Sequence, residues 1–143
     1  MTVQEIKAVL NGARDSVRTY RLARDKANAY GQILMARKSI SYDSDGSTHE
    51  RKGNPIENAY CCLADYEAEA DRLLLEMNAA RQRAENLIAS VPERVQREVL
   101  TRRYIIGQRW EDIAIVMNYN PRHIYKIHGA ALQNMALNGT IFP

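Results

Sequence analysis

Cysteine is nearly absent from this chain: two occur in 143 residues, and they are neighbours, Cys61 and Cys62. Adjacent cysteines cannot clip distant segments together, and pairing them with each other demands a strained geometry, so reduced thiols are expected rather than a disulfide framework. Four prolines and seven glycines are too few for a fibrous or low-complexity chain. No apolar run approaches the roughly 20 residues of a membrane-spanning helix, and the opening MTVQEIKAVLNGARD lacks the apolar core of a signal peptide. A cytoplasmic protein is expected. There is no glycine-rich phosphate loop, no nucleophile with an accompanying base, and no carboxylate pair with a reason to titrate abnormally. The expectation is therefore no enzyme and no cofactor.

What is present describes a chain that folds. Apolar residues make up 45% and charged residues 26%, and the length suits one ordinary domain or a small domain with a helical extension. The net charge of +3 is unevenly spread. Met1 to Ile40 holds eight Lys/Arg against three Asp/Glu, and Pro55 to Ala89 holds three against seven. Residues 90 to 143 hold seven against four, with no acidic residue after Asp112. A polyanionic partner would find its site in that last stretch.

Periodicity divides the chain into three segments. From Val3 to Lys38 the apolar residues Val3, Ile6, Val9, Leu10, Ala13, Val17, Tyr20, Ala27, Tyr30, Ile33 and Leu34 recur mostly every three or four positions, which predicts one long helix. Gly12 and Gly31 are the places where it could break, each costing about 1 kcal/mol relative to Ala. Ser39 to Pro55 has no periodicity and reads as a mobile polar connection. Asp43, Asp45 and Gly46 superficially suggest a calcium loop, but Thr48 and Asn54 stand where ligands are needed. From Ile56 to Ala89 a second seam runs Ile56, Tyr60, Leu63, Ala70, Leu74, Met77, Ala84, Ile88, again helical, with Tyr66 and the other aromatics of both arms assigned to it. The first arm is basic and the second acidic, so an antiparallel hairpin would join opposite charges beside an apolar seam. Such a hairpin buries a thin core and is expected to dimerise or to pack on the C-terminal unit.

A boundary is expected near Ser90, because Ser90-Val91-Pro92-Glu93 has the form of a capping box with Pro in the first turn. The helix it opens carries Val95, Val99, Leu100, Tyr104 and Ile105 and should stop at Gly107. WEDIAIVMNYNPRHIYKIHGAALQNM follows. Two helices packing steeply around a tight turn need apolar inner positions and one small contact residue. Ile113, Met117, Tyr119, Ile124 and Ile127 fill the inner positions, and Ala114 is the small contact. Asn118 suits a left-handed turn, Asn120 suits the cap of the next helix, and Pro121 suits its first position. With Ile124 and Ile127 inward, Asn120, Arg122, His123, Tyr125 and Lys126 are left facing outward. None is acidic, and all can donate to base edges or phosphates. Arg102, Arg103 and Arg109 flank the motif as further phosphate contacts, or equally as a solvated helix face.

The region centred on REVLTRRYIIGQRWEDIAIVMNYNPRHIYKIHGAAL resembles region four of bacterial sigma factors over about 45 residues: a helix ending in an aromatic residue and Gly, then an (E/D)-(E/D)-I-A helix, then a capped recognition helix. With the preceding hairpin and polar loop, the whole chain is similar to a phage- and prophage-associated family of small sigma-like transcription regulators. The resemblance implies an all-α fold, a helical hairpin over 1–89 followed by a three-helix helix-turn-helix unit over 90–143. It also implies a sequence-specific regulator whose recognition helix, from about Asn120, enters the major groove of double-stranded DNA. The hairpin would then serve a homodimer or contact RNA polymerase. In sigma factors the first, second and sixth positions after the cap read the promoter, here Pro121, Arg122 and Lys126. Pro121 cannot donate a hydrogen bond and there is no counterpart of the promoter-melting region, so sigma promoter choice is not implied.

Two other classes fit the same segments: a small terminase-like packaging subunit, and a helical adaptor that binds only protein. Neither a metal nor a membrane partner is expected. His123 and His128 are five apart, off a common helix face. His123 is the better phosphate contact, His128 a packing or solvent residue, and Trp110 a plug at the start of its helix.

Overall fold

The computed structural model describes residues 1–41 and 55–141. The protein is all-α: α1 spans Val3–Ser41, α2 Pro55–Ala89, α3 Arg94–Leu100 with a π-helical continuation Thr101–Ile106, α4 Trp110–Met117 and α5 Pro121–Ile141. Most of the polar connection expected at 39–55, with its aspartates, lies outside the described residues. No described helix is long and apolar enough to cross a membrane.

Both glycines of α1 are carried without a break. Gly31 is accommodated because it lies against the Leu63 side chain, whose Cδ1 would be 3.7 Å from a Cβ placed there. A capping box of another kind, not read from the sequence, opens this helix: Thr2 N–H donates to Glu5 Oε2 at 2.8 Å and Glu5 N–H to Thr2 Oγ1 at 3.2 Å.

The chain packs as two compact units, Met1–Val17 with Glu76–Pro143, and Arg18–Leu75. Ser90 is a break between helices, while the compact units part within α1 and α2 instead. In the Arg18–Leu75 unit the two helices run antiparallel, since Lys26 meets Glu69 (3.4 Å), Tyr30 meets Tyr66 (ring centroids 5.4 Å) and Gly31 meets Leu63. Lys26 also lies over the Tyr66 ring at 4.5 Å. Not all of the expected seam is interior: Ile33, Ile56 and Tyr60 are exposed. The buried positions are mostly small, Ala23, Ala27 and Ala70, so a narrow seam encloses little of the larger side chains that recur at every third or fourth step.

The other unit is the better packed. One cluster joins Ile6, Leu10 and Ala13 of α1, Ala80, Ala84 and Ile88 of α2, Leu100 and Tyr104, and Ala131, Leu132 and Met135 of α5, with Val91 fully buried between helices. A second joins Val99, Ile113, Ala114 and Ile124. The first two turns of α5 therefore belong to the second cluster and its later turns to the first.

Three local expectations are corrected. Ser90 does not open α3: its hydroxyl donates back to Leu87 O at 2.6 Å and closes α2, while Glu93 is the residue before α3 and makes no side-chain cap. The cause is Val91, whose burial anchors an extended link, and Pro92, which disfavours helix in the residue before it. Arg97 secures that link instead, donating to Val91 O at 2.7 Å and Pro92 O at 3.0 Å. The helix to Gly107 is not α throughout, because from Thr101 it widens to π. Thr101 Oγ1 donates to Arg97 O at 2.8 Å, offering that carbonyl a second partner where the regular ladder would hold it alone. Gly107 ends the stretch at φ 86°, a left-handed value suited to glycine. Tyr119, expected inside, is exposed. Its backbone N–H closes on Ala114 O at 2.9 Å right after left-handed Asn118, and its ring stands against His123 at 5.0 Å.

Candidate nucleic-acid interface

The helix pair α4–α5 is held by the residues its pattern requires. Ile113 and Ile124 are fully buried and Ala114 nearly so, with Met117, Ile127 and Trp110 partly buried around them. Asn118 turns the chain at φ 58°, ψ 45°. Asn120 then caps α5: its side-chain Oδ1 accepts from Arg122 N–H at 3.0 Å, and its carbonyl accepts from His123 and Ile124. Pro121 occupies the first position, where no N–H is needed.

Those constraints orient α5. Arg122, His123, Tyr125 and Lys126 are all exposed on its first two turns, and the first turn carries no acidic residue. Asn120 is exposed too, with its side-chain oxygen Oδ1 given to the cap.

The flanking arginines are each engaged. Arg102 pairs with Glu98 at 3.1 Å and reaches Gln108 Oε1 at 3.5 Å. Arg109 pairs with Asp112 at 3.2 Å while its side chain stays 75% exposed, and that hydrogen bond raises its pKa above the ordinary arginine value. Arg103 lies over the Trp110 ring at 4.5 Å and donates to Gln108 O at 3.2 Å.

Trp110 is a plug with three neighbours. Besides Arg103 it touches Tyr125 (5.3 Å between centroids) and His128 (4.8 Å, edge-on). Its contact with Tyr125 connects the π-helical segment to the outward side of α5. Beneath it, His128 Nε2 and the Tyr104 hydroxyl share a hydrogen bond of 2.7 Å. Burial, followed by the nearby Lys7 and Arg103 charges, pushes the His128 pKa down to about 4, so the imidazole is neutral at pH 7. Burial also raises the Tyr104 pKa, against the opposing pull of Arg103 and Arg14.

Packing on the C-terminal unit was one of the two expectations for the hairpin, but the α1 residues that make the contact, Ile6, Leu10 and Ala13, were not singled out for it. Lys7 and Arg14 act electrostatically on His128 and on Arg103 and Tyr104 respectively, although about 90 to 120 residues separate them in the chain. The available signal was the string Ile6, Leu10, Ala13, read as half of a hairpin seam; nothing in its spacing says that it also meets α5. Comparison of the chain with protein-family models, with curated proteins and with solved structures finds no match.

Proposed function

We propose that this protein is a sequence-specific DNA-binding transcription regulator of the small sigma-like type, with α5 as its recognition helix. The observation that carries the reading is the exposed, acid-free start of α5. Arg122, His123, Tyr125 and Lys126 project from a helix whose other side is held by Ile113, Ala114 and Ile124 and whose first turn is capped by Asn120. A rigid helix presenting such donors fits the major groove, where Arg and Lys recognise guanine and phosphates fix the register. Pro121 at the tip supports the helix start rather than base reading, which leaves Arg122 and Lys126 as the residues that discriminate.

The test is binding to a duplex that the wild-type chain selects from a random library. Arg122→Ala with Lys126→Ala should weaken binding at least tenfold, since one good bidentate base contact contributes about 1–3 kcal/mol, while thermal unfolding is unchanged because both side chains are exposed. Unchanged affinity in the double variant would refute the assignment of α5. A chain that forms large rings and binds every sequence alike would instead be a packaging subunit, and one with no affinity for DNA even at low salt would be a protein adaptor.

A further inference from the structure

The Arg18–Leu75 unit has two unlike sides. One is tied by Lys26, which meets Glu69 at 3.4 Å and lies over the Tyr66 ring. The other opens as a groove of about 500 Å³ whose walls include Ala27, Gly31 and Met35 of α1 and Tyr60, Leu63 and Glu67 of α2. Its rim is apolar and exposed: Met35 is 65% exposed, Tyr60 42%, and Ile56, one turn before Tyr60, 59%. Charge on this side is sorted by helix. Arg21 lies seven residues before the groove residue Asn28, as Asn28 does before Met35, and Arg24 lies four before Asn28. On α2, Glu67 follows Tyr60 by seven residues and Asp71 follows Glu67 by four. Those spacings put the arginines and the carboxylates on the groove faces of their helices, and all four side chains are exposed.

We propose that this groove face is where two copies of the chain dimerise, with α1 of each laid over α2 of the other about a two-fold axis running along the hairpin. Within one chain the pairs Lys26–Glu69 and Gly31–Leu63 set a register that puts Met35 level with Tyr60 and Arg24 level with Asp71. Rotation about an axis along the helices keeps those levels, so apolar Met35 meets Tyr60 of the partner subunit, and Arg21 and Arg24 meet the partner's Glu67 and Asp71. Such a contact is self-complementary, as a two-fold interface must be. An axis across the helices would instead set basic α1 on basic α1, a juxtaposition that like charges disfavour. The available area also fits. Two helices side by side over this unit, about 30 Å long and about 20 Å across together, offer roughly 600 Å² per copy, or about 1,200 Å² in total, the lower end of stable interfaces. The dimer would enclose Met35, Ile56 and Tyr60, which a single chain leaves outside. This inference does not depend on what α5 binds.

The experiment is sedimentation equilibrium of the full-length chain at concentrations up to about 100 μM, a range that covers weak association through an interface of this size. The wild type should reach twice the chain mass. Met35→Glu with Tyr60→Glu should weaken association about tenfold or more, while Ile33→Gln, on the Lys26 side of α1 by its seven-residue spacing, should leave it unchanged. Charge reversal tests the pairing itself. Arg21→Glu with Arg24→Glu in one chain, and Glu67→Lys with Asp71→Lys in another, should each weaken self-association, and the two chains mixed should form a one-to-one heterodimer. Recovery on mixing cannot come from a chain that has failed to fold.

A wild-type chain that stays monomeric throughout overturns the proposal and assigns the groove to a partner of another kind. A dimer that persists undiminished in Met35→Glu with Tyr60→Glu, or one lost in Ile33→Gln, overturns the choice of face. Charge-reversed chains that remain apart when mixed overturn the pairing of α1 with α2 across the axis. None of these results bears on the binding of Arg122 and Lys126 to DNA, which the selected duplex tests separately.

Discussion

Both compact units draw on α1 and α2, yet they bury very different things. In Arg18–Leu75 the buried apolar side chains are Ala23, Ala27, Leu34 and Ala70, while Leu22, Ile33, Met35, Ile56, Tyr60 and Leu75 remain exposed. In the other unit Ile6, Leu10, Leu100, Ile113, Ile124, Val91 and Val99 are wholly enclosed. Each buried methylene contributes about 0.8 kcal/mol, so three alanines and a leucine hold two helices weakly. Exposed pairs such as Lys26–Glu69 add little, ~0 to 1 kcal/mol each. The same two helices thus supply a firm platform in one place and a loosely tied, partly apolar surface in the other. The first is the more firmly packed, and the second the readier to open locally.

Breaking that comparison should be easiest in the firm unit. Ile113→Ala removes a fully enclosed side chain and is expected to cost about 2–5 kcal/mol, whereas Leu22→Ala, 71% exposed, should change stability by less than about 0.5 kcal/mol. Chemical denaturation of the two variants checks the contrast; equal losses would mean the two units are equally packed. Hydrogen exchange sharpens it, with amides of Arg18–Leu75 exchanging through smaller openings than those of α3 to α5.

The pH dependence of stability should come from the firm unit too. His128 has a folded pKa of about 4 against an ordinary value of 6.5. Between those values the unfolded chain binds the extra proton, so stability is complete above about pH 6.5 and falls as the pH drops towards 4. Melting curves across that window should show the decline, and His128→Gln should flatten it.

Smaller effects concern the joints. Gly107→Ala forces an L side chain to φ 86° and should cost about 1–2 kcal/mol. Asn120→Ala removes the cap on Arg122 N–H and should cost about 1 kcal/mol. The smallest is Lys26→Gln in the hairpin unit, below about 1 kcal/mol and vanishing at high salt, where screening already removes the attraction.

Local features of the fold were readable where a residue's own chemistry decides them. Asn118 and Gly107 adopt left-handed backbone, Asn120 caps α5, and Ile113, Ala114 and Ile124 are interior, each following from residue type and spacing. Ser90 misled because the same hydroxyl can close one helix or open the next, and the buried Val91 decided between them. Tyr119 misled because an apolar ring after a left-handed residue can turn outward onto a neighbour such as His123. What could not be read was long-range partnership. Nothing in Lys7 marks it as acting on His128, nor in Arg14 as acting on Arg103, and the periodicity of α1 and α2 is continuous across the point where the compact units part. Of the candidate interface, the outward set on α5 was legible; the Trp110 contacts and the Tyr104–His128 bond were not, because they depend on how three segments meet.

We propose that the start of α5 reads DNA. Selecting bound sequences from a random duplex library with the full-length chain, and repeating the selection with Lys126→Ala, tests it most directly. A recognition helix there should give a defined motif for the wild type that loses or changes one position in the variant. An unenriched wild-type pool, or an identical motif from both proteins, would contradict it.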